Sequence, residues 1–119
     1  MPISSYRDLD VYHRSLRVLV PLSVVVDKLP RYELMELGSQ MRRASKSIPL
    51  NIAEGYARRK SDRDFKSFLK TAMGSATEMV VCLEMCKVLN YAQESECDAL
   101  MKEYDEIGRM LNGLIANWH

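Results

Sequence analysis

Ser47-Ile48-Pro49-Leu50-Asn51-Ile52-Ala53-Glu54-Gly55 decides the fold of this chain, because it lies within a helical pattern and yet carries a proline. Before it, Leu34, Leu37, Met41, Ala44 and Ile48 recur at spacings of three and four, and Ile52 extends the series past Pro49. Proline lacks an N–H and its ring crowds the carbonyl four residues back, so the helix either stops at Ser47 or bends and continues. Length separates the two. A rod over residues 34–57 spans about 36 Å, close to about 39 Å for the next pattern, whereas a stop at Ser47 leaves about 21 Å. Antiparallel helices of one bundle match in length, which predicts one helix over 33–57, kinked at Pro49.

Working outward, the first helix is predicted over 8–28, with Tyr12, Leu16 and Leu19 on one face and Leu29-Pro30 ending it. Val18 to Val26 is apolar all round, which predicts burial on more than one side, and Pro21 predicts a kink or break. The β-branched content of that run also suits a strand, but no second strand is offered to pair with it. A third helix over 62–90 shows Phe65, Phe68, Leu69, Ala72, Met79, Leu83 and Cys86 on one face. Its Gly74-Ser75 marks an expected close approach of another backbone, and Asn90 an end. The fourth, over 95–117, carries Cys97, Leu100, Met101, Tyr104, Ile107, Leu111, Leu114, Ile115 and Trp118 as a seam. Ser5-x-x-Asp8, Ser61-x-x-Asp64 and Ser95-x-x-Asp98 read as capping boxes at three of the starts. Short connections make neighbours antiparallel, so the expected fold is an all-α, up-down-up-down four-helix bundle occupying residues 1–119 as one domain.

Composition fits such a domain: 119 residues, 47% apolar and 28% charged, with no low-complexity segment. No basic segment leads into an apolar one at the N-terminus, and Val18 to Val26 is too short to span a bilayer. Cys82, Cys86 and Cys97 form no even framework and fit reduced thiols, so the expected location is cytoplasmic, with no membrane contact.

The net charge of +1 hides an asymmetry: residues 42–70 carry nine Lys/Arg against three Asp/Glu, and residues 71–119 three against eight. The nine are Arg42, Arg43, Lys46, Arg58, Arg59, Lys60, Arg63, Lys66 and Lys70. Arg63, Lys66 and Lys70 share a helix face, and the turn between helices two and three should gather most of the nine at one end. Repeated, sequence-blind positive charge is what a phosphate backbone requires; a solvated face with ordinary ion pairs is the competing reading. Apart from Phe65 and Phe68, which belong to the apolar face of the third helix, only Tyr56 is interleaved with the charges, which gives no support to base stacking. Glu54 and Glu78 sit among apolar and small residues and call for a partner such as Arg42 or Arg43, a structural role rather than a catalytic one. The cysteines read as small buried apolar groups, since no Cys-x-x-Cys exists and His13 and His119 lie far apart in the sequence. No Glu-x-x-His pair, nucleophile triad or glycine-rich phosphate loop is present, so neither metal, cofactor nor enzymatic activity is expected.

The opening stretch, together with Gln40-Met41-Arg42-Arg43-Ala44, Phe68-Leu69 and Ala72-Met73-Gly74-Ser75-Ala76-Thr77-Glu78, resembles the four-helix-bundle family also called intervening-sequence proteins of large-subunit ribosomal RNA. The resemblance covers nearly the whole chain and departs from the family pattern at Leu50, where a small residue is usual, and at Pro21. It implies a bacterial protein that forms a ring-like homo-oligomer, commonly a pentamer. Pro49, Asn51, Glu54, Gly55, Gly74, Ser75 and Glu78 would be its structural motif residues. A related branch, the accessory variability determinants of diversity-generating retroelements, binds nucleic acid and a reverse transcriptase. The expectation is therefore a non-catalytic oligomeric scaffold for RNA or DNA, with Arg58, Arg59, Lys60, Arg63 and Lys66 on phosphates. The alternative is an adaptor docking a protein such as a reverse transcriptase.

Overall fold

A computed structural model describes residues 3–118, and within them the chain is an all-helical four-helix bundle of 44 × 24 × 19 Å. The first helix is split into α1 (Asp10–Arg17) and α2 (Leu19–Asp27), followed by α3 (Leu37–Ala57), α4 (Asp62–Val88) and α5 (Glu94–Asn117). α3 packs along α4 and α4 along α5, while the α1–α2 pair closes the bundle against α3 and α5. Met41, Ile48, Ile52, Phe65, Leu69, Met79, Leu83, Tyr104, Ile107 and Leu111 fill the centre.

α3 runs unbroken through Pro49. A proline inside a helix costs about 3 kcal/mol, whereas fully burying an isoleucine contributes roughly 1.5–3 kcal/mol. Ile48 and Ile52 flank it and are wholly buried, so packing outweighs the lost hydrogen bond. Polar groups add to this: Asn51 Nδ2 donates to the Ser47 carbonyl at 2.8 Å and to Ser47 Oγ at 2.9 Å, and Ser75 Oγ on α4 donates to Ser47 Oγ at 2.9 Å. Pro21 has no comparable support. It is exposed, as the third residue of α2, and the helix is interrupted at Val18, one turn earlier, where the Arg17 carbonyl loses its donor.

Several expectations are corrected. α3 begins at Leu37 rather than 33, because Pro30 starts a separate 3-10 turn over Arg31–Glu33. The Ser5 box is present but caps the 3-10 turn Tyr6–Asp8, with Asp8 accepting from the Ser5 N–H, and α1 starts after it at Asp10. Ser95 caps nothing: α5 starts at Glu94 after Gln93, and Asp98 instead accepts from Lys87 at 2.6 Å. Val20 and Val24 are 70% and 49% exposed, so the apolar run of helix one is buried within the chain on one side only.

Gly74 faces open space on the outside of α4; the close approach lies at Gly55, where an added Cβ would stand 2.9 Å from Phe68 Cβ and 3.3 Å from the Phe65 carbonyl oxygen. Asn90 ends α4 in the left-handed conformation (φ 58). The Tyr91 N–H then reaches the Cys86 carbonyl at 2.9 Å and the Asn90 N–H the Lys87 carbonyl at 3.1 Å, a Schellman arrangement that satisfies two free carbonyls.

Candidate nucleic-acid interface

The turn from α3 to α4 forms one end of the bundle. Arg58 is the C-cap of α3, its N–H on the Gly55 carbonyl, and Ser61 caps α4 by accepting from the Asp64 N–H at 3.1 Å. Arg58, Arg59 and Lys60 are thereby held on an exposed tight turn. Arg63 follows on the first turn of α4, with Lys66 and Lys70 on the same face. Arg58 lies over the Phe68 ring at 5.4 Å and its Nε donates to Glu54 at 3.4 Å. Arg59 lies over the Tyr56 ring at 4.3 Å, and its Nη1 donates to the Tyr56 carbonyl at 3.1 Å. Lys66 pairs with Asp62 at 3.0 Å. Among the described residues Lys60, Arg63 and Lys70 have no acidic partner within ion-pair distance.

The other three basic residues are not gathered there. Arg42 lies fifteen residues before Ala57, about 22 Å along the axis, and its Nη2 donates to the Leu34 carbonyl at 2.8 Å. Arg43 is exposed at the far end, beside Met35, Met85 and Leu89. Lys46 borders a groove of about 390 Å³ with Tyr6, Tyr12, Leu16, Pro49 and Leu50. The sequence reading gathered most of the nine at the turn; α3 ends at Ala57, so Lys46 stops about 16 Å short of it and Arg42 about 22 Å, and only the group from Arg58 onward shares the turn.

Sequence reasoning missed two contributions. The segment before α1 folds back onto α3: Tyr56 Oη donates to the Ile3 carbonyl at 3.4 Å, while Arg7 lies over the Tyr6 ring at 4.7 Å. At the other terminus half-buried Trp118 meets Phe65 at 4.6 Å and Tyr56 at 6.2 Å. The signal was available, since an up-down-up-down order returns both chain ends to the end that carries the second connection.

The acidic motif residues do other work than expected. Glu54 is exposed and bonded to Arg58, and Glu78 accepts from Gln40 Nε2 at 3.0 Å, so neither is paired with Arg42 or Arg43. Burial pushes the Cys82 thiol up to about 11 and the Cys86 thiol up to about 12, with Cys97 also raised. Among the described residues no group of three His, Cys, Asp or Glu could hold a metal ion, and no helix is long and apolar enough to cross a membrane. His119 lies outside the described residues. A groove of about 440 Å³ between the α1–α2 break and α5 holds Glu96 and Glu103, but Lys28 and Arg14 already occupy both carboxylates.

Fold and surface together define a four-helix-bundle protein with one cation-rich end. The chain belongs to the 23S rRNA-intervening sequence protein family, whose pattern it matches over residues 7–113. It is also similar to a crystal structure of a protein with unknown function from the S23 ribosomal protein family of Bacteroides thetaiotaomicron, at 22% identity and a TM-score of 0.79, covering 90% of this chain and 96% of that one. That likeness concerns the fold. No curated protein matches the chain.

Proposed function

We propose that this protein is a non-catalytic, self-associating scaffold that binds nucleic acid through the α3–α4 end of the bundle. The observation that carries the reading is the exposed group Lys60, Arg63 and Lys70, without acidic partners among the described residues, beside Arg58 and Arg59. Unpaired surface cations attract a polyanion at no cost in broken ion pairs. Self-association is supported by two exposed apolar areas on different sides: Val81, Met85 and Val88 on the outer face of α4, and Leu16, Val20 and Leu50 across α1–α3. Two unlike patches of this kind favour a head-to-tail contact, which closes into a ring and repeats the basic end around it.

Binding of generic RNA should weaken steeply with salt. Phosphate contacts by Lys60, Arg63 and Lys70 give a log–log slope of about −2 per subunit on a single strand. Arg58/Arg59/Lys60→Glu should abolish binding; an affinity indifferent to salt or to this variant rejects the proposal. The second reading, an adaptor for a protein such as a reverse transcriptase, draws on the same apolar areas. It predicts a co-purifying protein that nuclease treatment does not release.

A further inference from the structure

We infer that the basic end, if the nucleic-acid reading on which this inference rests is right, takes single-stranded rather than duplex nucleic acid. Arg58 and Arg59 would supply stacking planes for unpaired bases, while Lys60 and Arg63 meet phosphates.

The two pairs of cations are held differently. Lys60 and Arg63 are exposed, with no ion-pair partner among the described residues, and are free to follow a backbone. Arg58 and Arg59 are pinned. Each guanidinium lies over an aromatic ring, Phe68 at 5.4 Å and Tyr56 at 4.3 Å, and each has one N–H engaged, by Glu54 at 3.4 Å and by the Tyr56 carbonyl at 3.1 Å. Both residues are exposed, so the guanidiniums over these rings lie within reach of a bound strand. A guanidinium fixed in this way is a ready surface for a base, and base stacking is how proteins engage unpaired strands. Of the two rings, Tyr56 is only 5% exposed and Phe68 is half-buried beneath Arg58. A duplex hides its base faces and offers only phosphates, so a purely electrostatic surface would favour the duplex, whose charge density is higher.

The test measures fluorescence anisotropy of the whole protein with labelled oligouridine and with an RNA duplex of equal length, at one salt concentration. A preference of about tenfold for the single strand is expected, the size of one good base stack. Arg58→Lys/Arg59→Lys keeps both charges and removes both planes. It should erase the preference by lowering single-strand affinity about tenfold, while the salt slope, set by the number of charges, stays the same, and circular dichroism should show an intact fold because both residues are exposed. Equal or tighter duplex binding by the wild type, or a preference that survives in the lysine variant, overturns this inference and leaves general nucleic-acid binding standing. Failure of both RNAs to bind rejects the two together.

Discussion

Replacing Gly55 by alanine and, separately, Gly74 by alanine makes the same chemical change at two helical positions, with opposite outcomes expected. At Gly55 the new Cβ would stand 2.9 Å from Phe68 Cβ, 3.3 Å from the Phe65 carbonyl oxygen and 3.4 Å from a Phe65 ring carbon. Two of those three atoms belong to backbone or Cβ positions that no rotamer change can move. Carbon atoms settle at about 3.5–4.0 Å, so α3 and α4 must part locally by about half an ångström or more. That strains the contact in which Ile52, Phe65 and Leu69 are wholly buried. Overpacking of this kind costs about 1–3 kcal/mol. The gain in helix propensity, at most about 1 kcal/mol, is reduced because Gly55 lies two residues from the end of α3. The net expectation is a loss of roughly 1–2 kcal/mol. At Gly74 an added Cβ meets nothing within 4 Å, so only the propensity term remains and the variant should gain up to about 1 kcal/mol.

Urea unfolding followed by circular dichroism reads both as shifts of the midpoint at unchanged slope. Several protein concentrations separate folding from self-association. A Gly55→Ala protein as stable as the wild type would show that the α3–α4 contact is looser than these distances, and shifts of the same sign in both variants would refute the assignment of the close approach.

Other outcomes follow from buried and paired groups. Tyr104 Oη is buried without a hydrogen-bond partner among the described residues, so Tyr104→Phe should raise stability by about 1 kcal/mol in the same unfolding assay. Arg14 binds Glu103 through two hydrogen bonds of 2.9 and 2.8 Å and holds its carboxyl below the ordinary value of 4.5. This contribution is complete above pH 4.5 and is lost as pH falls through the lowered native value, so Glu103→Gln should cost up to about 1 kcal/mol at neutral pH and flatten the acid side of the stability profile. The three cysteines are buried with raised thiol values, so an alkylating reagent at mildly alkaline pH should label none of them in the native protein and all three once it is unfolded, as mass spectrometry would count.

Much of the fold was legible because helix periodicity reports the buried face directly. Phe65, Leu69, Ala72, Met79, Leu83 and Cys86 recur as α4 requires and are all buried. Boundaries were less legible, because they depend on competition among neighbouring caps. Ser95-x-x-Asp98 has the right letters for a helix start, but Gln93 takes the cap position in extended geometry and Asp98 is claimed by Lys87. Glycine was misread for a related reason. Gly74 and Gly55 look alike in a helical pattern, and only the helix arrangement reveals that one faces outward and the other faces Phe68.

The candidate interface shows the same division. Periodicity gives the angle of a side chain around its helix, and on that basis Arg63, Lys66 and Lys70 were placed on one face. Axial position is another coordinate, counted back from the end of the helix. α3 ends at Ala57, so Arg42, Arg43 and Lys46 lie more than two turns from the basic turn whichever residue starts the helix. What replaces them comes from topology. Ile3 and Trp118 lie at opposite ends of the sequence, yet an even number of antiparallel helices brings both to the α3–α4 end, where each meets Tyr56. The Tyr56 ring beneath Arg59 is therefore itself braced by the two chain ends. Shortening the chain to remove Trp118 would accordingly loosen the base beneath Arg59 while leaving every cation in place.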